Sequence, residues 1–330
     1  MVGAGFKVKI LIADWFAQMS YKIGSNLDKI QTIGQYNIEV WKATGMDLTR
    51  VELVWLSDVM NIHAANFWPL FMDVSQKYTV DNIKRCCSKT IPYGPGILQV
   101  TEILLPCLQC AAMLFQKQVD IWLLDMDQRE VSILARKYCE DIKRENGPII
   151  LLNHMLPDLL EYPEIAEKLD HARAISMEDT EDDVNLKVMV RAFCPPQAVK
   201  HNPCLEYIKY LILPWFGEFE VVQERNGLHG IFTNMEMLIA DYKHGALRAP
   251  DMKLALEKAI NKILQSVHEH FRNNAYAKIY GKPTSVLLYP KTSCSIAWCL
   301  SICRSVRIFH SEQERMFLIM FIHNTIYGSA

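Results

Sequence analysis

Cys107 and Cys110, one helical turn apart, are the first residues whose types and spacing suggest chemistry. A Cys-x-x-Cys pair suits thiol redox exchange or half of a zinc site. Zinc needs a second pair, and the nearby Cys86 and Cys87 are adjacent in the chain, a poor ligand pair. The competing reading, buried structural thiols, is preferred because free cysteine packs as a small hydrophobe; no metal site is expected. Cys294, Cys299 and Cys303 form a second group with no motif around it. Gly3-Ala4-Gly5 precedes an apolar run, whereas a phosphate-binding loop should follow one. P-loop, HExxH and GxSxG patterns are absent. His154 ends an apolar run, where α/β sheets place ligand contacts, although a structural histidine satisfied by its neighbours fits the same position.

The elements that must position such residues are readable from periodicity. Lys7 to Ala13 is a short apolar, β-branched run ending at Asp14, which predicts a buried strand opening onto a functional loop. Ser25-Asn26-Leu27-Asp28 predicts a helix start; that helix turns Ile30, Ile33, Val40 and Trp41 inward and stops near Gly45. Val51 to Trp55 predicts a second strand, and Trp68-Pro69 a further helix start. From Asp127 onward, Val131, Leu134, Ala135, Tyr138 and Ile142 form one apolar stripe that Gly147-Pro148 breaks. Ile149 to Leu152 predicts a third buried strand. This alternation predicts an α/β fold with a parallel sheet. The acidic run Met177 to Asp183 predicts a solvated loop and a helix N-terminus. Beyond it the chain reads as helical, most clearly from Pro250 to Phe271. A boundary is expected near Thr180. From Pro283 the tail is apolar without clean periodicity and is expected to be a mobile or poorly packed extension.

Composition bounds the rest. The 330 residues suffice for two domains, and 50% hydrophobic with 22% charged residues is ordinary for a globular protein. The formal net charge of −2 argues against a strongly basic surface as the main source of affinity, while leaving room for a local basic patch. Ten cysteines are too sparse for a disulfide scaffold and no signal-peptide pattern opens the chain, so a reducing, cytoplasmic setting is expected. The apolar runs Cys294–Cys303 and Met316–Ile322 fall short of the roughly 20 residues a spanning helix needs, so no membrane partner is expected.

Several blocks in order carry a family resemblance: IADWFAQM (Ile12 to Met19), DMDQREVSILARKYC (Asp125 to Cys139) and KRENGPIILLNHMLP (Lys143 to Pro157). SMEDTEDDVN (Ser176 to Asn185), AFCPPQAV (Ala192 to Val199), NPCLEYIKYLILPWFGEF (Asn202 to Phe219) and ALEKAINKILQSV (Ala255 to Val267) continue the series. Over about residues 4 to 282 the chain resembles the eukaryotic and archaeal-type tyrosyl-tRNA synthetases. The resemblance implies a class I fold: a Rossmann-like catalytic domain over residues 1–180 and an all-α anticodon-binding domain over 181–282, with 283–330 as an unrelated tail. It also implies ATP with Mg2+, tyrosine and tRNA(Tyr) as ligands, and a homodimer. Family members form tyrosyl-adenylate and then transfer tyrosine to tRNA; the protein contributes positioning and charge stabilisation of the phosphates.

Carried over position by position, the family's site is altered. Its HIGH segment would lie upstream of Met1, so the domain reads as truncated at its N-terminus, without its first strand. KMSKS corresponds to Ile165-Ala166-Glu167-Lys168-Leu169, where Lys168 survives and the family's aspartate follows as Asp170. Glu167 adds a negative charge where phosphate is expected. In the tyrosine pocket Gln109 and Gln128 remain. The family's tyrosine is Leu105, and the aspartate that receives the substrate hydroxyl is Ala112, which has no acceptor. The glycine before Gln128 has become Asp125. Gln128 also fits a helix cap. In the anticodon part, Asp251 matches the residue expected to bind the first anticodon base, and it equally fits a helix N-terminal carboxylate after Pro250. The aromatic expected to stack on that base is Asn226, a loss of roughly 1–3 kcal/mol. Three accounts follow: a degenerate copy of a tyrosine–tRNA ligase, a non-catalytic module that binds tRNA or pairs with an intact paralogue, or residual catalysis through Gln109, Gln128, Lys168 and Asp170.

Overall fold

The structure, a computed structural model, describes residues 7–19, 26–87, 98–116, 119–145, 147–154, 156–157, 159, 175–223, 225, 227–281 and 317–322. Two compact units divide the chain, one drawn from residues 1–35, 47–154 and 305–330, the other from 36–46 and 155–304.

The first unit is built on a parallel sheet. The run that predicted a strand forms β1 (Lys7–Ile12), followed by α1 (Asp14–Met19) and α2 (Leu27–Ala43). Asn26 starts α2 by accepting the Lys29 amide at 2.9 Å, and Ile30, Ile33, Val40 and Trp41 are buried as expected. Gly34 lets α2 approach the second strand, β2 (Val51–Trp55): a Cβ there would lie 2.6 Å from the Trp55 ring. Helices α3 (Leu56–Ile62), α4 (Ala64–Lys77), α5 (Val80–Lys84) and α6 (Val100–Phe115) follow. Strand β3 (Ile121–Asp125), α7 (Arg129–Asp141) and β4 (Ile149–Asn153) complete the alternation. α6 is the apolar centre, with Cys107, Leu108, Cys110, Ala111, Ala112 and Met113 all in one core cluster with Leu124 and Val131.

The second unit opens with α8 (Glu181–Asn185), capped by Thr180, whose side chain accepts the Asp183 amide; the acidic run does start a helix, but Met177 and Asp179 before it are buried rather than solvated. It continues as a π-helical stretch to Arg191, then α9 (Pro203–Tyr207), a second π-helical stretch to Ile212, and α10 (Leu213–Phe216). A hairpin of β5 (Phe219–Val222) and β6 (His229–Phe232) interrupts the helices before α11 (Met235–His244), α12 (Ala249–Asn273) and α13 (Ala275–Gly281). On α12, Leu256, Ile260, Ile263, Leu264 and Val267 form a buried row, an amphipathic helix as its spacing predicted. Residues 36–46 join this unit through Glu39, which accepts from His270 at 2.9 Å, and Tyr36, which stacks on Phe271.

Four expectations need correction. α4 begins at Ala64 rather than at Trp68-Pro69, and Pro69 sits within it. Pro69 lies past the unpaired first turn, since Phe67 already donates to the His63 carbonyl at 3.0 Å, so its ring removes the bond that the Ala65 carbonyl would accept. The strand at Ile149 is not buried: β4 is the sheet edge, with Ile149 54% and Leu151 39% exposed. Ile142 closes the α7 stripe outside the core. The tail, expected to be a mobile or poorly packed extension, contributes β7 (Phe317–Ile322) to the sheet, in the order β2-β1-β7-β3-β4. β7 runs parallel to both neighbours, with Met320 opposite Ile10 and Leu123. Without a strand at that place, the facing edges of β1 and β3 would leave backbone donors and acceptors unpaired within the sheet. A six-residue apolar run is what such a slot accepts.

Candidate functional site

In a parallel α/β sheet, side chains meet ligands beyond the C-terminal ends of the strands. Here those ends lead into Asp14 after β1, Ser57 after β2, Met126-Asp127-Gln128 after β3 and His154 after β4. Asp14 is buried and serves as a tie. Its carboxylate accepts the Ser57 amide at 3.0 Å, the Ser57 hydroxyl at 2.6 Å and the Gln31 amide at 3.3 Å. It thereby joins the β1 turn to the first turn of α3, where unpaired helix N–H groups favour a carboxylate. Sequence reading marked Asp14 as the strand end but had no signal for Ser57 as its partner, because the pair is formed across two strands.

Gln128 closes a 3-10 turn after β3 and precedes α7, so the cap-like position is correct. It makes no side-chain cap bond there, and its Oε1 is buried with no hydrogen-bond partner among the described residues. A buried acceptor left open favours a ligand donor, such as an ammonium or a hydroxyl. Gln109 is buried on α6, the helix whose Leu108, Ala111 and Ala112 share a core cluster with Leu124 and Val131 on either side of the Gln128 turn. Ala112, itself buried, brings no acceptor to this region, and Leu105 lies half-buried on the same helix. Cys107 and Cys110 sit in the same core, and burial pushes both thiols up, which leaves them as inert apolar fillers. Groups of three or more metal-ligating side chains are absent among the described residues.

Charge at the strand ends is unfavourable for phosphate. Across residues 13–15, 55–58, 125–129 and 153–154, the sole lysine or arginine is Arg129, which pairs with Glu130 at 2.9 Å. The same positions hold Asp14, Asp58, Asp125 and Asp127. Ile165 to Asp170, including Lys168, and Asn226 lie outside the described residues. A cleft of about 930 Å³ lies elsewhere in the sheet unit, lined by Leu114, Phe115, Gln116, Ile142 and Arg144 where α6 and α7 lead into the strands. It contains none of the sequence-predicted site residues.

In the helical unit Asp251 is buried in the first turn of α12, and Arg248 donates to both its oxygens, at 2.8 and 3.1 Å. Asp251 is 1% exposed and both its oxygens are taken by Arg248, the arrangement of a helix N-terminal carboxylate.

The family model for the class I tRNA synthetases (W and Y) matches residues 1–265. The chain belongs to this family. Within it the chain is of the eukaryotic tyrosyl type. It is 49% identical to cytoplasmic tyrosine–tRNA ligase 1 of Arabidopsis thaliana over 84% of its own length and 72% of that protein's. To cytoplasmic tyrosine–tRNA ligase 2 of the same plant it is 47% identical, over 84% of its own length and 37% of that protein's. Its fold is similar to the Leishmania major tyrosyl-tRNA synthetase solved with tyrosinol, with a TM-score of 0.74, 32% identity, and coverage of 84% of this chain and 53% of that one. The chain therefore spans between 37% and 72% of the length of these three relatives. The class I synthetase fold, with a parallel-sheet part and a helical part, is as the resemblance implied, except that the helical part is not all-α: it holds the antiparallel β5–β6 hairpin. No helix of the described residues is long and apolar enough to cross a membrane.

Proposed function

We propose that this chain is a tyrosyl-tRNA synthetase family member that no longer carries out the family reaction alone. That reaction is the ATP-dependent attachment of tyrosine to its tRNA through tyrosyl-adenylate. The observation that carries this reading is the contrast between Gln128 and Ala112. An open acceptor survives at the end of β3, while the position that should receive the substrate phenol is a buried alanine. A site that cannot satisfy the phenol loses the large discrimination that a hydrogen-bonded hydroxyl confers. ATP fits the described strand ends poorly, because carboxylates outnumber a single, already paired arginine there. No step through ATP or Mg2+ is assigned to these residues.

On this reading residues 1–180 are the former catalytic domain, with Gln109 and Gln128 as retained tyrosine contacts and Lys168 and Asp170 as what is left of the phosphate loop. Residues 181–282 are the anticodon-binding domain with Asp251 toward tRNA, and 283–330 lie beyond the family blocks. A homodimer, or pairing with an intact paralogue, is part of the same proposal, and the relatives' names, cytoplasmic tyrosine–tRNA ligases, support that setting. The test is tyrosine-dependent ATP–pyrophosphate exchange by the purified, folded chain, with tRNA(Tyr) binding measured on the same sample. Absent exchange with retained, salt-weakened tRNA binding is the expected result. Exchange that disappears without tyrosine overturns the proposal.

A further inference from the structure

The sheet order β2-β1-β7-β3-β4 contains one position that no neighbouring stretch of sequence fills. β1 and β2 lie side by side, with α1 and α2 between them in the chain; β3 and β4 lie side by side, with α7 between them. From β2 to β3 the chain crosses two strand positions, whereas consecutive strands are usually neighbours. One of the skipped positions takes β7. Its segment begins at Phe317, whereas α13 ends at Gly281, so residues 282–316 separate the two elements. A strand parallel to both neighbours is joined to neither by a tight turn, and its seating depends on the slot rather than on the connection.

The two neighbours hold β7 unequally. Its whole length pairs with β1, from Phe317 opposite Lys7 to Ile322 opposite Ile12. With β3 the register covers Leu318, Ile319 and Met320, opposite Ile121, Trp122 and Leu123. Leu124 and Asp125 go on pairing with β4, so β3 and β7 part toward their C-terminal ends. β1 leads to β2 in one direction and β3 to β4 in the other, so this gap lies where the strand order reverses, the place at which open α/β sheets hold ligands. From its edge β3 runs into the Gln128 turn with the open acceptor.

We propose that the slot between β1 and β3 is a binding site for an extended apolar peptide, and that the chain's own Phe317–Ile322 is its exchangeable occupant. Recognition is by backbone: a strand seated there satisfies donors and acceptors of β1 and β3 together, and an uninterrupted apolar run suits a strand in the middle of a parallel sheet. The tether presents the segment at an effective concentration on the order of millimolar, because loop closure costs little more as a linker lengthens. Seating it also forms one side of the gap that opens beside the Gln128 turn, so the tail bears on the candidate site although it lies beyond the family blocks. The slot requires the sheet alone and is independent of catalysis.

The experiment cuts the tether and follows the occupant. A protease recognition sequence inserted between Lys282 and Pro283 lets the folded full chain be nicked, and an isotope-labelled peptide of residues 311–326 is then added. At about 10 μM peptide the nicked chain should exchange its tail fragment for the label, read by native mass spectrometry, while β1 and β3 amides keep their protection in hydrogen exchange. The uncut chain, whose tethered segment competes at about a hundredfold higher concentration, should take up about a hundredfold less. The same peptide carrying Met320→Pro should stay out, because proline removes a ladder donor. A nicked chain that loses protection in β1 and β3 and regains it with the wild-type peptide supports the slot equally. A fragment that leaves with that protection unchanged, equal uptake of the two peptides, or a nicked chain that neither exchanges its fragment nor recovers with peptide overturns the assignment.

Discussion

Between β1 and β3 the sheet unit holds a strand that arrives from the far end of the chain, whereas the helical unit is organised around α12, whose buried row is written in consecutive turns. The difference follows from where each element finds its hydrogen bonds. A helix pairs its backbone internally and needs neighbours only for its apolar face. A central strand pairs on both sides, so its place is defined by partners remote in sequence. The sheet unit therefore concentrates its dependence in β7, and the helical unit spreads its own over packing and a few buried polar ties.

That contrast can be broken first in the helical unit at its buried ion pair. Lys187 and Asp179 are both nearly inaccessible and lie 2.6 Å apart. Asp179→Ala leaves a buried lysine without this partner and should cost about 3–5 kcal/mol, while replacing both residues by apolar ones of similar size should recover most of it. Chemical denaturation of the three proteins checks this; equal losses in the single and double variants would show that the pair itself stabilises. The loss should be confined to α8 and α12 in hydrogen exchange.

Met320→Pro tests the sheet unit. It removes a backbone donor in the middle of β7, opposite Ile10 and Leu123, and should cost about 3 kcal/mol as facing carbonyls lose partners. Amides of β1 and β3 should exchange faster while those of α12 keep their protection. Unchanged exchange in β1 would remove β7 from its assigned place and with it the contrast drawn here.

The smallest effect is pH-dependent. Burial alone would raise the Glu39 carboxyl, but the Lys42 and His270 hydrogen bonds outweigh it and hold it below its ordinary value. The folded chain thus binds this proton less readily than the unfolded one. Its contribution, about 1 kcal/mol, is complete above the ordinary carboxylate range and lost as pH falls through the lowered value. Glu39→Gln should flatten the acid limb of stability by that amount; an unaltered limb would show that residues 36–46 are held by Tyr36 and apolar packing alone.

The candidate site was legible in part. Gln109, Gln128, Leu105 and Ala112 could be picked out by their place in the family's blocks, since residue identity is itself sequence. That Gln128 would keep an unpaired oxygen, or that Asp14 would be consumed in tying β1 to Ser57, could not be read, because each depends on what lies across the sheet.

What the sequence by itself determined is what is local. The β1 and β2 runs, the stripe of α7, the cap of α8 at Thr180 and the buried row of α12 all follow from periodicity and nearest-neighbour hydrogen bonding. The tertiary structure decided the rest: β4 as an exposed edge, β7 as the central strand, and the tie of Asp14 to Ser57. A strand's partners and a carboxylate's surroundings come from distant segments, and the apolar run Phe317–Ile322 carries no mark of which edge it will join until β1 and β3 present one.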